Sequence, residues 1–195
     1  MPRSTLTQLQ QDLLDAFFRR EQRFFLTGGA ALAGFFLGHR STHDLDLFAT
    51  TDVLDAGDVS LREAARELQA MIENVQTSPT FRRRLVRRGA EAVIVDLVFA
   101  ETPQDTSPKQ LFGGIRVDPP GEIVANKICA LLSRAELRDL VDLRALEGAG
   151  YRIEDALELA RRKDAGVTPG QLAWVLKQIQ IGEDAVVPGV NRSQN

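Results

Sequence analysis

In "LTQLQQDLLDAFFRR" the apolar residues Leu6, Leu9, Leu13, Leu14 and Phe17 recur at the spacing of one helix face, predicting an amphipathic helix over roughly residues 5 to 20. The pattern changes at "RFFLT", a short strand running into Gly28 and Gly29, after which "AALAGFFLG" suits a buried helix that closes near Gly38. In "HDLDLFAT" the period drops to two, so a strand there sends Asp44, Asp46 and Phe48 to one face and Leu45 and Leu47 to the other. A helix is expected next at about 58 to 73, from "DVSLREAARELQAMIEN". "TFRRRLVRR" and "AEAVIVDLVFA" then read as two strands joined by a tight turn at Gly89. The second is nearly all apolar and so central in its sheet, with Asp96 interrupting the buried run.

The polar stretch "ETPQDTSPKQ" at 101 to 110 carries two prolines and reads as a surface loop, and "GIRVDPPGE" ends the β-rich part. Beyond it, "EIVANKICALL", "AELRDLVDLRALEG", "IEDALELARRK" and "QLAWVLKQI" read as four successive helices. Capping-box spacing occurs at Ser133 to Glu136 and at Thr168 to Gln171, with Pro169 in a first helical position. The organisation expected is an α+β protein: a small mixed sheet with helices over residues 1–118, a helical region over 119–182, and a frayed tail over 183–195.

An apolar fraction of 44% can furnish a core, and no apolar run approaches the ~20 residues that cross a bilayer. The first residues lack the hydrophobic block of a signal peptide, so the cytoplasm is the expected location, with no membrane partner. Cys129 is the sole cysteine, which excludes an internal disulfide and a cysteine-based zinc site; in "ANKICALL" it reads as a small core residue. A net charge of -3 gives no global attraction to nucleic acid, so RNA binding needs a local patch. Arg82, Arg83, Arg84, Arg87 and Arg88 are the candidates for one, since phosphate contacts come mainly from Arg and Lys; a solvated strand face is the plain alternative.

Two carboxylates at i and i+2 on a strand point the same way, with Cα atoms about 6.5 to 7 Å apart, and both can reach divalent cations between them. Mg²⁺ favours a few carboxylates with phosphate oxygens and water. Asp96, on a neighbouring strand, is a candidate third ligand, because burying a lone carboxylate in "VIVDLVF" costs several kcal/mol unless a cation or hydrogen bonds compensate. Gly28 and Gly29 lie at a strand-to-helix turn whose bare backbone can accept a triphosphate. A D-x-D or a Gly-Gly alone is common; their ordered combination points to nucleotide chemistry. His39 and His43 are four residues apart but in a loop-to-strand connection, which disfavours zinc; His39 and Arg40 are placed to steady the D-x-D strand or touch phosphate.

The segment "LTGGAALAGFFLGHRSTHDLDLF" resembles the signature of the AbiEii/AbiGii nucleotidyltransferase toxins of the DNA polymerase β-type superfamily. In that family a Gly-Gly or Gly-Ser turn precedes a D-x-D strand, often through H-R-x-(S/T)-x-D-x-D, and His39, Arg40, Thr42, Asp44 and Asp46 stand at those positions. Downstream, "VDLVF" resembles the third-carboxylate strand at Asp96. "EIVANKICALLSRAELRDLVDLRAL" resembles the family's helical Lys and R-D-x-x-D-L segment, through Lys127, Arg138, Asp139 and Asp142. The resemblance runs from about residue 23 to 147.

It implies a polymerase β-type nucleotidyltransferase domain followed by a helical part that closes a cleft, and transfer of NMP from an NTP to an acceptor. Asp44 and Asp46 would bind two Mg²⁺ ions, or Mn²⁺, with Asp96 as further ligand or base. Gly28, Gly29, His39, Arg40, Thr42 and Lys127 would form the nucleotide-binding set, and Asp139 or Asp142 would complete the catalytic pocket. It further implies a toxin with tRNA as acceptor, neutralised by a cognate antitoxin through inhibition or phosphorylation. One departure is Gly29, where many superfamily members carry Ser; Thr27 precedes the pair, and backbone N–H groups must do more of the binding.

The residues alone leave plainer readings open. Arg138 and Asp142 are spaced as an i,i+4 surface pair, and Lys127 can snorkel from a buried face. The acceptor could equally be a protein hydroxyl or a small molecule such as an aminoglycoside, and a nucleotide-binding regulator without turnover is the alternative from another class.

Overall fold

The computed structural model describes residues 5–179, so the tail expected over 183–195 lies outside the described residues. Contacts group the chain into two units. The first comprises the chain up to Gly38 with Thr42–Glu101 and Lys109–Asp118; the second takes His39–Ser41, Thr102–Pro108 and the chain from Pro119 onward.

The first unit opens with α1 (Gln8–Phe18), which buries Leu9, Leu13, Leu14, Phe17 and Phe18. Thr7 begins it: its Oγ1 accepts from Gln10 N while Gln10 Oε1 accepts from Thr7 N, a capping box that hydrophobic spacing does not reveal. β1 (Phe25–Thr27) leads into α2 (Gly28–Ala31), which continues as a π-helical segment, Leu32–Leu37, and stops at Gly38 in the left-handed conformation. β2 (Asp44–Ala49) has the alternation its sequence demands: Leu45, Leu47 and Ala49 are buried, while Asp44, Asp46 and Phe48 share the other face.

α3 spans Leu54–Glu67, starting earlier than expected; it also ends earlier, because Gln69 adopts a positive φ of 54° and breaks the helix. The residues read as its last turns belong instead to β3 (Met71–Ser78), an edge strand paired antiparallel with β4 (Phe81–Arg88). β4 turns at Gly89, φ 59°, into β5 (Glu91–Phe99). A short hairpin of β6 (Gln110–Phe112) and β7 (Ile115–Val117) completes a seven-stranded mixed sheet in the order β3-β4-β5-β2-β1-β7-β6. The near-continuous apolar run places β5 inside the sheet, parallel to β2 on one side and antiparallel to β4 on the other.

The second unit holds α4 (Pro120–Arg134), α5 (Leu137–Gly148), α6 (Ile153–Lys163) and α7 (Pro169–Gln178). Ile123, Val124, Ile128, Leu131, Leu146 and Val175 are among its buried residues. Thr168 caps α7 by accepting from Gln171 N at 3.1 Å, with Pro169 in the first helical position. Ser133 caps nothing: α4 runs past it to Arg134, so its hydroxyl donates to Ala130 O, and the break falls at Ala135, φ 49°. Cys129 is half-buried, with its Sγ facing Ala160 O at 3.6 Å, and burial pushes its thiol pKa up. Among the described residues, no helix is long and apolar enough to cross a membrane.

Candidate active site

On the sheet, strand register fixes which side chains can meet. Thr27 pairs with Asp46, Asp46 with Asp96, and Asp96 with Arg83, so four strands contribute one row on one face. Asp44 lies on the same face of β2, two residues from Asp46, and both are half-buried. Gly28 follows Thr27 with φ 67°, and a Cβ there would collide with the Asp46 carboxylate. Asp46 thus packs against bare backbone, which explains a glycine at this position. Thr27 keeps its buried Oγ1 without a hydrogen-bond partner among the described residues.

Asp96 is compensated by Arg83. The guanidinium reaches both carboxylate oxygens, Nε to Oδ1 at 2.8 Å and Nη2 to Oδ2 at 2.6 Å, and its carbon stands 5.5 Å from the centre of the Phe81 ring. The hydrogen bond to Asp96, with the charges of Asp96, Asp44 and Asp46, holds Arg83 more firmly protonated than usual. Among the described residues no group of three His, Cys, Asp or Glu is gathered to hold an ion, and Arg83 takes the place expected for a cation at Asp96. Asp44 and Asp46 do fit a Mg²⁺ ion, which needs only one or two carboxylates beside substrate phosphates.

The five arginines of β4 do not make one patch, because a strand alternates its side chains. Arg83 and Arg87 share the face of Asp96, where Arg87 lies 3.5 Å from Glu73 of β3. Arg82, Arg84 and Arg88 point the other way. Arg82 meets Asp55 and Arg84 meets Asp58, both on α3, while Arg88 meets Asp12 on α1. Arg84 is buried, and burial of Asp58 is outweighed by its bonds to Arg84 and Arg62, which lower its pKa.

In the helical unit, Lys127, Asp139 and Asp142 come together with His39 and Arg40 of the segment His39–Ser41. Lys127 Nζ lies 2.9 Å from Asp139 Oδ1 and 2.6 Å from Asp142 Oδ2. Asp142 also accepts from Arg40 through Nε at 2.7 Å and Nη2 at 2.9 Å, and from His39 Nε2 at 2.7 Å. Asp139 accepts from Arg134 Nε at 2.9 Å and Nη2 at 3.0 Å. Both carboxylates are fully buried, so Asp142 is not half of a surface pair, and Arg138 contacts Glu136 instead. Burial alone would raise the Asp142 pKa, but hydrogen bonds from Arg40 and His39 and the charge of Lys127 hold it far below the usual carboxylate range. The same balance lowers Asp139, with Arg134 and Lys127 outweighing burial.

Gly29 is buried inside α2, and Thr42, in the first unit, accepts from Gln10 Nε2 through its carbonyl at 3.0 Å. Two partners escaped the sequence reading, Arg134 and the pairing role of Arg83. The second had a signal: counting outward from the Gly89 turn, Arg88 opposite Glu91 leads five residues along each strand to Arg83 opposite Asp96.

Comparison with solved structures supports the fold. JHP933 from Helicobacter pylori superposes with a TM-score of 0.58 at 16% identity, covering 87% of this chain and 88% of that one. The nucleotidyltransferase toxin MenT4 from Mycobacterium tuberculosis gives a TM-score of 0.54 at 20% identity, covering 81% of this chain and 63% of that one. No curated protein sequence matches the chain. The family model described as nucleotidyl transferase AbiEii toxin, type IV toxin–antitoxin system, matches residues 12–185. A glycine turn packed on a D-x-D strand, in a sheet of this order and under a match of that length, leaves one assignment: the chain belongs to the AbiEii nucleotidyltransferase toxins.

Proposed function

We propose that this toxin transfers a nucleoside monophosphate from an NTP to tRNA in a divalent-metal-dependent reaction, with Asp44 and Asp46 as the metal-holding carboxylates. The observation that carries the proposal is the placement of Asp46 against Gly28, beside Asp44 on one face of β2. Two acids thus adjoin a turn whose missing side chain admits a phosphate to the backbone. A bound Mg²⁺ would supply positive charge to the triphosphate and lower the pKa of the acceptor hydroxyl.

Each unit contributes groups of its own. The Thr27 hydroxyl, without a hydrogen-bond partner among the described residues, is a donor for a phosphate oxygen, taking the part that Ser plays after the first Gly in related turns. Lys127 is the proposed phosphate contact of the helical unit. Two of its N–H donors are directed by Asp139 and Asp142, and the ammonium has a third. His39 and Arg40 orient Asp142 rather than touching phosphate. A type IV toxin–antitoxin assignment supports a cognate antitoxin as partner.

The test is incubation of the purified protein with total tRNA, Mg²⁺ and each labelled NTP in turn, beside an Asp44→Ala, Asp46→Ala variant. We expect label in tRNA from at least one NTP, and a loss in the variant of about a thousandfold, equivalent to several kcal/mol of transition-state stabilisation. Label that persists in the variant would rule out these carboxylates. Label absent from tRNA but present on added protein or aminoglycoside would move the acceptor to that class, and tight NTP binding with no pyrophosphate release would leave a non-catalytic binder.

A further inference from the structure

We propose that Arg83 takes, at Asp96, the place of a second divalent ion, so that the chain binds one metal through Asp44 and Asp46 and meets the charge of Asp96 with its own side chain. The inference rests on the metal-dependent reading above and goes beyond it in fixing the number of ions.

Asp46, Asp96 and Arg83 are successive members of one cross-strand row, which puts a permanent cation where a third metal ligand would otherwise meet its ion. The guanidinium is planar and always charged, and it matches a carboxylate through two parallel hydrogen bonds, as it does here at 2.8 and 2.6 Å. Asp96 is only 8% exposed and Arg83 is 41% exposed, so the acid is inside and its counter-charge closes over it from the solvent side. Phe81, one face of whose ring lies under the guanidinium, restricts the swing of that arm.

Competition favours the arginine. An ion reaching both oxygens of Asp96 must break two charge-assisted bonds and also shed water, and Mg²⁺ dehydrates reluctantly. Arg83 gives up little hydration to stay, because a guanidinium is more weakly hydrated than an ammonium. Arg83 is accordingly a positioning residue: it fixes the Asp96 carboxylate and supplies positive charge next to Asp46, without itself binding substrate. The other arginines of β4 cannot substitute. Arg82, Arg84 and Arg88 leave from the opposite face, and Arg87 pairs with Glu73 at the edge strand.

The test counts ions. The protein is dialysed to equilibrium against Mn²⁺ and a non-hydrolysable NTP analogue, and bound Mn²⁺ is measured per chain for the unaltered sequence, for Arg83→Gln and for Arg83→Lys. We expect one ion per chain in the unaltered protein and two in Arg83→Gln, with Arg83→Lys remaining at one. Two ions in the unaltered protein would overturn the inference while leaving metal dependence standing. So would one ion in a folded Arg83→Gln, its fold checked by circular dichroism and its melting temperature. No ion in either protein would remove the metal-dependent reading and this inference with it. Should Arg83→Gln fail to fold, the count in the unaltered protein still decides. A purely structural role for Arg83 would shift melting temperature without changing the ion count.

Discussion

Asp46 and Asp96 are half-buried and buried acids on a sheet face, set beside one another by strand register, whereas Asp139 and Asp142 are fully buried on one helix, sharing Lys127, with Asp142 also held by His39 and Arg40 from far along the chain. The sheet row gathers three carboxylates around Arg83, which offsets one of three like charges. The helical cluster sets Lys127, Arg40 and Arg134, with His39, against only two. The sheet arrangement thus gathers more acid around its cation, whereas each helical carboxylate is enclosed by cations of its own cluster. On the function proposed, chemistry that needs an added ion belongs to the first, and orientation of a lysine belongs to the second.

The comparison breaks most readily at Asp142. Asp142→Asn should cost about 3–5 kcal/mol, the usual result of leaving buried cations without their partner. For a chain of this size that lowers the melting temperature by about 10 °C or more. Asp46→Asn, by contrast, should lower the melting temperature far less while activity collapses. Equal melting temperatures for the two variants, measured by calorimetry, would mean that the two acid clusters contribute alike to stability.

A smaller effect follows from acid. Both helical carboxyls have pKa values held below the ordinary range in the folded chain, so the unfolded chain takes up their protons first as pH falls. The stability they contribute is fully present above the unfolded value of about 3.9 and is lost as pH falls below it towards the depressed folded values. Urea midpoints between pH 5 and pH 3 should fall more steeply for the unaltered protein than for Asp142→Asn. Parallel slopes would mean that this carboxyl is not depressed by its partners.

The smallest effect is expected at Arg87, exposed beside Glu73. Arg87→Glu should change stability by no more than about 1 kcal/mol. If it also reduces tRNA labelling at low salt while leaving NTP binding intact, the sheet face that carries Arg83 and Arg87 touches RNA; unchanged labelling would confine β4's arginines to structural pairing.

Much of this was legible in the residues, and the limits have physical causes. Period-two alternation places Asp44 and Asp46 on one face, and the Gly89 turn sets the register that joins Arg83 to Asp96. The end of α3 was obscured because "QAMIEN" has no strong strand signature, and its pairing with β4 is a long-range gain that local propensity does not contain. The plain alternative of a surface pair between Arg138 and Asp142 on α5 fails for a similar reason. What makes the burial of Asp142 tolerable is His39 and Arg40, more than a hundred residues earlier in the chain.

That distance has a consequence for the moment of synthesis. His39 and Asp142 are separated by 103 residues, so at about 5–20 residues per second a ribosome takes roughly 5–20 s to deliver the acid after the histidine. During that interval the His39–Ser41 segment lacks its anchor, and any nascent product ending before α5 lacks it permanently. A translation stall or nonsense codon in the helical region therefore releases a chain that carries the D-x-D strand but cannot assemble the lysine cluster, which ties the birth of an intact toxin to completion of its reading frame through Asp142.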